Sequence, residues 1–391
     1  MIKRSLFPAL LLMLSMLFCG CNAVSEPSDT SSDMRGGLAS LVLAEHVRNE
    51  YAQQFSIDRY EGGYSLITTT LNGGSSRFLV IPEGADIPKE LENDISVIQQ
   101  PARNFYIAAT SAMGLFAEIG AMDSVRFSGS KAEEWYIDAA KEAMERGEII
   151  YAGKYRAPDY ELLISGGCTL SIQSTMIEHS PAVREKLLSL GIPVFVDYAS
   201  YEPHPLGRSE WIRVYAEMCG KAEEAERVFS QQSEKLKALE GVESTGKTAA
   251  FFYINSAGQA VTRRSGDYIT KMMELAGGRS VFDDGTDSDQ SSAFSTVVME
   301  MEKFYTAAKD ADLIIYNSTI DGELTTIAEL LAKNSLLADF KAVKNRNVWC
   351  TRENVYQETT KLGTMIFDFY SVFSGTEIEN QNPPTFLYKL E

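Results

Sequence analysis

Aromatic and basic side chains recur in this chain where loops follow short apolar runs, and that pairing of types points to binding rather than bond-making. In the first half they are Trp135 and Tyr136, Lys154 and Tyr155, then Tyr201 and His204. In the second half they are Arg263, Arg264 and Tyr268, then Arg352 and Tyr356. Aromatic rings offer broad, rigid area to a bulky planar or polycyclic guest, and guanidinium groups pair with carboxylates or with the oxygen shell of an anionic chelate. Each position also has a plainer reading. Trp135 and Tyr136 can face a sheet from a helix, Arg263 and Arg264 can form a solvated turn, and His204, held between Pro203 and Pro205, can fix the lead-in to the next helix. Direct metal ligation has little support, because His46, His179 and His204 are scattered and no CxxC or HExxH occurs. Haem ligated by a tyrosine stays open, with no tyrosine marked for it. No GxSxG elbow, Walker A motif or dinucleotide fingerprint is present, so enzymatic chemistry has no anchor in the motifs.

These loops must be held by a framework, and the stretch 207–240 organises it. Ala222, Ala225, Phe229, Leu236 and Leu239 recur at three- and four-residue spacing and draw one apolar stripe along a charged helix. From residue 221 to 240 that helix would be about 30 Å long, roughly the width of a small domain. Before it, strand-like runs at 103–110, 125–130, 148–153, 169–174 and 192–198 alternate with helical runs at 111–120, 131–147 and 181–191. After it, strands at 249–255, 280–284, 312–317 and 347–351 alternate with helices at 265–278, 301–311, 323–340 and 359–375. Short apolar strands separated by helices imply a mostly parallel sheet covered on both faces. Two such lobes flank the central helix, which reads as a spine between them. Segments 55–70 and 76–84, with Gly-rich turns, add a small antiparallel meander at the edge of the first lobe.

With 391 residues the chain suits two lobes of ordinary size. At its start Lys3 and Arg4 precede an apolar run from Leu6 to Phe18, followed by Cys19, Gly20 and Cys21. This is a secretory signal, and it resembles a bacterial lipoprotein signal, which implies Cys21 as the lipid-bearing first residue. A plain secretory signal or a membrane anchor is the alternative, although the run falls short of the ~20 residues needed to span a bilayer. Loss of Lys3 and Arg4 moves the formal charge from −18 to −20, and so acidic a surface repels phosphate backbones and argues against a nucleic-acid partner. Residues 22–40, rich in Ser, Asp and Gly, read as a flexible tether. Cys168, Cys219 and Cys350 read as buried thiols, with a single bridge between Cys168 and Cys219 left open.

The order of parts and several local stretches resemble the iron-complex and vitamin B12 class of periplasmic-type binding proteins, the receptors of ABC importers. The stretches are 101–120 (PARNFYIAATSAMGLFAEIG), 158–172 (PDYELLISGGCTLSI), 202–229 (EPHPLGRSEWIRVYAEMCGKAEEAERVF), 301–317 (MEKFYTAAKDADLIIYN) and 344–356 (KNRNVWCTRENVY). The resemblance implies an α/β fold of two Rossmann-like lobes with mostly parallel sheets, joined by a long interdomain helix and closing only modestly. The expected division is 1–20 lipoprotein signal, 21–40 tether, 41–219 N-terminal lobe, 220–240 interdomain helix and 241–391 C-terminal lobe. It implies that Glu161 and Glu302, one on each lobe, dock onto basic residues of a permease dimer that works with its ATPase. It also implies a lipid-anchored, extracytoplasmic monomer that takes a bulky metal chelate between the lobes. An iron–siderophore complex ranks first, a corrinoid second and haem third, with no cofactor bound directly. The competing readings are an enzyme component on the same scaffold and a surface adhesion or scaffold module.

Overall fold

The computed structural model describes residues 36–283, 296–376 and 383–391. The expected signal segment, Cys21 and most of the expected tether lie outside these residues. Residues 36–40 do not read as tether: Gly37–Ser40 form a 3-10 turn, and the Gly37 amide donates to the Lys89 carbonyl at 2.6 Å.

Three sheets organise the chain. The first contains β1 (Leu43–Val47), β2 (Phe55–Tyr60), β3 (Ser65–Leu71), β4 (Gly74–Ile81) and β5 (Ile95–Gln99) in sequence order. The expected two-segment meander is therefore larger, and its last strand lies parallel to β4 rather than antiparallel. Side-chain alternation divides its faces. Phe55, Ile57, Ile67, Phe78, Val80 and Ile98 enter the main core, while Leu66, Leu79, Ile81 and Ile95 pack under Leu38 and Leu41 on the other face.

The N-terminal lobe follows as β6 (Phe105–Ile107), α1 (Thr110–Glu118), β7 (Val125–Ser128), α2 (Asp138–Glu145), β8 (Ile150–Tyr151), α3 (Tyr160–Ser165), β9 (Leu170–Ser174), α4 (Pro181–Ser189) and β10 (Val194–Asp197). Its strands are all parallel, in the order β10-β9-β6-β7-β8. The expected helix over 131–147 is broken. Ala132–Glu134 form a 3-10 turn, Trp135 and Ile137 are extended, and α2 starts only at Asp138.

The expected rod over 207–240 is three helices, α5 (Pro205–Glu210), α6 (Ile212–Cys219) and α7 (Ala222–Lys237). Gly220 ends α6 in the left-handed region (φ 67°), which a side chain would resist. In α7, Ala225, Val228, Phe229, Gln232, Ser233 and Leu236 are buried, and Leu239 just beyond it is buried too; Ala222 is only half-buried.

The C-terminal lobe contains β11 (Thr248–Ile254), β12 (Ala260–Arg263), α8 (Tyr268–Leu275), β13 (Arg279–Ser280), β14 (Thr296–Met299), α9 (Met301–Ala308), β15 (Leu313–Tyr316), α10 (Ile327–Lys333), α11 (Lys341–Lys344), β16 (Val348–Thr351), α12 (Leu362–Ser374) and β17 (Leu387–Lys389). The main path runs β14-β12-β11-β15-β16-β17, with β13 also beside β11. Strands β11, β15 and β16 are parallel, and antiparallel strands close both edges. The helix expected over 323–340 is α10 followed by a 3-10 turn at Ser335–Asp339. Along β11, Ala249 and Phe251 face one core while Ala250 and Phe252 face another, as a sheet covered on both sides requires.

One hydrophobic core runs from the N-terminal sheet through α1 and α5–α7 to one face of the C-terminal sheet and α12. The spine is thus not a lone bar between lobes. It packs closely on the start of α12: a Cβ added at Gly363 would lie 2.3 Å from the Gln232 carbonyl oxygen of α7. The three cysteines are free; Cys350 is buried and Cys168 and Cys219 are half-buried, which removes the Cys168–Cys219 bridge.

Replacing Gly363 with Ala pushes α12 off α7 and, as overpacking against backbone, lowers stability by about 1–3 kcal/mol; urea denaturation of the purified variant checks it. A second prediction concerns Asp368 on α12, whose carboxylate accepts the Phe386 amide at 2.6 Å and whose burial raises its pKa to about 6. The folded chain therefore holds this proton more tightly than the unfolded one. Stability from this group is full below the ordinary carboxylate range and falls as pH rises through about 6. Asp368→Asn should gain on the wild type between pH 4 and 7 by up to about 3 kcal/mol; paired denaturation curves at the two pH values measure the gap.

Candidate functional site: the interlobe cleft

The loops beyond β7 and β16 meet across the lobes. The Trp135 indole folds inward, 3% exposed, and donates from Nε1 to the Ser128 hydroxyl at 3.1 Å. Trp135 is therefore core, and the turn presents its neighbour instead. Tyr136 donates its hydroxyl to Glu353 Oε2 at 2.6 Å and its backbone amide to Gln357 Oε1 at 2.9 Å. Gln357 is fully buried, and its Nε2 donates to the Glu134 carbonyl at 2.8 Å and to the Tyr356 hydroxyl at 2.9 Å. One amide thus clasps the N-terminal lobe with both ends. The Tyr136 and Tyr356 rings meet edge-on with centroids 6.2 Å apart, each about two-fifths exposed. The hydrogen bond to Glu353 pushes the Tyr136 phenol up to about 12.

Charges around this clasp are mostly paired. Lys154 Nζ lies 3.1 Å from Glu134, whose carboxyl is held below its ordinary range first by the Lys131 backbone amide and then by Lys154. Arg352 pairs with Glu323 at 2.8 Å and stands 4.1 Å over the Tyr388 ring. Tyr136, Lys154, Arg352 and Tyr356 are thereby gathered at the facing strand ends.

A second junction forms at α5. His204 caps that helix by accepting the Leu206 amide on Nδ1 at 3.1 Å and stacks on Tyr51 with centroids 4.3 Å apart. Burial pushes its pKa down to about 4, in keeping with a neutral acceptor nitrogen. His204 holds the helix start, the plainer of its two readings. Arg208 stands 3.9 Å over the ring of Tyr268 on α8, and the Ser209 hydroxyl donates to the Thr359 carbonyl at 2.6 Å. Arg263 lies on β12, 3.7 Å from Asp267, and half-buried Arg264 follows in the turn to α8. Tyr155 and Tyr201 are half-buried on loops after β8 and β10. The eleven expected residues therefore divide between the strand ends, the α5–α8 junction and, for Trp135, the core.

Behind α5, two carboxylates anchor the N-terminal sheet. Glu210, fully buried, accepts the amides of Glu50, Tyr51 and Ala52 at 2.7–2.8 Å and pairs with Arg213. Glu202 accepts the amides of Gln53 and Gln54 and the Trp211 indole at 2.7–3.0 Å.

On the flank of α7 lies a cavity of about 730 Å³, walled by Glu118 and Tyr136 on one side and by Arg352, Glu353 and Thr360 on the other. Of the eleven expected residues only Tyr136 and Arg352 reach it. Glu353, Gln357 and Glu323 escaped the sequence reading, since nothing in ENVYQETT marks a glutamine that binds a loop 221 positions away. Among the described residues no group of three or more His, Cys, Asp or Glu is placed to hold a metal ion.

Glu161 and Glu302 take no part in these contacts. Each is exposed, each is the second residue of its helix, and neither side chain has an ion pair or hydrogen bond among the described residues. Helix α3 leads into β9, which borders β6, and α9 leads into β15, which borders β11; the orders β10-β9-β6 and β16-β15-β11 match. The two carboxylates therefore occupy equivalent places in the two lobes.

Among the described residues no helix is long and apolar enough to cross a membrane. An uncharacterized lipoprotein of Methanocaldococcus jannaschii is 24% identical over 355 residues, covering 86% of this chain and 81% of that protein. A periplasmic binding protein from Veillonella parvula superposes with a TM-score of 0.59 at 16% identity, over 79% of this chain and 97% of that one. The periplasmic heme binding protein HutB of Vibrio cholerae gives 0.54 at 16% identity (68% and 99%), and an ABC-type Fe3+-hydroxamate transport protein from Saccharomonospora viridis gives 0.52 at 17% (70% and 93%). The profile of the periplasmic binding protein family matches residues 107–355, and with its two lobes of mostly parallel sheet joined by α7 this chain belongs to that family.

Proposed function

We propose that the chain is the substrate-binding lipoprotein of an ABC importer, anchored through Cys21 outside the cytoplasmic membrane, that captures a bulky metal chelate between its lobes. An iron–siderophore complex is the preferred guest, ahead of a corrinoid or haem. The chelate contacts the strand-end loops of both lobes, with Tyr136, Tyr155, Tyr201 and Tyr356 as aromatic surface and Lys154, Arg263, Arg264 and Arg352 as cationic partners. Its metal arrives inside the chelate rather than on protein ligands. Support comes from family membership, from the haem-binding and Fe3+-hydroxamate transport proteins that share the fold, and from the relative named a lipoprotein.

The matched placement of Glu161 and Glu302 carries this reading. Two exposed, unpaired carboxylates at equivalent points of rigidly spaced lobes are what a two-fold-like permease can recognise by charge and separation together. Quenching of the three buried tryptophans, Trp135, Trp211 and Trp349, on titration with ferric siderophores, cobalamin and haem identifies the guest. Saturable binding of one chelate without turnover is expected; a bare ferric ion binding equally well would refute it. Glu161→Lys and Glu302→Lys should each cut import roughly tenfold and leave chelate affinity within about twofold, because rim charges govern encounter more than the cleft. Uptake assays beside purified-protein titrations separate the two effects, and equal loss in both would put these residues in the cleft.

A further inference from the structure

The cations that face the cleft are not equivalent. At the clasp, Lys154 already meets Glu134 and Arg352 already meets Glu323. On the α5–α8 side, Arg208 has no such counter-charge. Arg208 is half-buried, and among the described residues its guanidinium makes neither a hydrogen bond nor an ion pair; it stands 3.9 Å over the ring of Tyr268 on the other lobe. Arg59, Arg77, Arg213 and Arg263, likewise withdrawn from solvent, face Glu217, Asp94, Glu210 and Asp267. Moving a charge partly out of water without a counter-charge is unfavourable, so Arg208 is the exception that needs a reason.

No acid of the surrounding segments is available to it. On β10, α5 and the loop between them, Asp197 accepts the Tyr215 hydroxyl at 2.6 Å and the Ala199 amide at 2.7 Å, while Glu202 and Glu210 hold the amides of residues 50–54. On the turn into α8, Asp267 accepts the Ile269 amide at 2.9 Å and faces Arg263; farther along that helix Glu274 pairs with Lys271. The place of Arg208 is equally defined. Asp197, the last residue of β10, interacts electrostatically with it, and Tyr268 opens α8 just after Arg263 and Arg264. The guanidinium therefore lies near the carboxyl end of a strand of one lobe and against the first helical residue of an element of the other. Carboxyl ends of strands are where open α/β sheets hold their guests. A ring face supplies no acceptor oxygen, so the planar fork keeps its donors for a carboxylate, which it matches with two parallel N–H bonds.

We propose that Arg208 binds an anionic oxygen group of the guest, a carboxylate by preference, and so sets its charge class. This rests on the proposed capture of a chelate between the lobes. It narrows the guest to chelates that keep a free carboxylate once the metal is wrapped and sets neutral trishydroxamate complexes aside.

Fluorescence titration of the full chain with haem, ferric dicitrate and ferrichrome tests this, the first two carrying free carboxylates and the third being neutral. At least one carboxylate-bearing probe should bind saturably, roughly tenfold or more tightly than ferrichrome. Arg208→Gln should weaken that probe roughly tenfold, and Arg208→Lys should recover only part of the loss because an ammonium cannot form the fork. Arg227→Gln, which removes the same charge from the exposed surface of α7, should leave affinity within about twofold. Arg208→Gln should also melt close to the wild type, since it leaves no protein acceptor unpaired. Ferrichrome binding as tightly as the carboxylate-bearing probes overturns the proposal. So does full affinity in Arg208→Gln, or a large fall in its melting temperature, which would make Arg208 a strut between α5 and α8. If none of the three probes binds, the chelate reading falls together with this one; saturable binding without the charge preference removes only the role of Arg208.

Discussion

The separation of the two lobes is set where α12 starts against the middle of α7. Gly363 lets the two backbones approach to a distance that no side chain would permit, and the Gln232 side chain of α7 accepts the Thr364 amide at 3.1 Å at the same point. Helix α7 packs on α6 of the first lobe and on α12 of the second, so this contact converts one helix into a ruler between two sheets. The cleft, the clasp and the spacing of the two exposed carboxylates all depend on it.

The ruler has assistants. The segment after β16 belongs to the second lobe by sequence, yet Gln357 binds the 134–136 loop of the first with two hydrogen bonds, one from each end of its amide, and Thr359 accepts from Ser209 on α5. Net hydrogen bonds contribute about 1 kcal/mol each, so no single one dominates. Their value is geometric: they hold the second lobe at points off the spine axis and resist rotation about it. On the far side, Glu202 and Glu210 collect five backbone amides of residues 50–54 and fasten the N-terminal sheet to the same α5. That sheet precedes the region matched by the family profile.

Periodicity exposed what depends on neighbours in sequence. Ala225, Phe229, Leu236 and Leu239 were readable as the buried stripe, and the apolar runs at β10, β11 and β15 were readable as parallel strands because burial on both faces leaves little room for polar residues. What depends on distant partners stayed hidden. Trp135 looked like a helix residue because its Ala- and Glu-rich surroundings favour helix, whereas the Ser128 hydroxyl draws the indole inward and the extended turn follows. Strands β12 and β14 are four residues each, β12 buried between β14 and β11 and β14 half-exposed at the edge of the sheet, so neither carries a long apolar run or a clean alternation. Of the cleft residues, the aromatic and basic types were legible as a set, but their division between a strand-end clasp and the α5–α8 junction required the fold.

The most direct measurement is the distance between the lobes. Spin labels at exposed Glu185 on α4 and Ala332 on α10, read by pulsed dipolar spectroscopy, should give one narrow distribution in the full chain, and Gln357→Ala should broaden it while α7 remains intact. A wild-type distribution that is already broad or split, or one that the Gln357 substitution leaves untouched, would contradict lobes fixed jointly by the spine and the clasp.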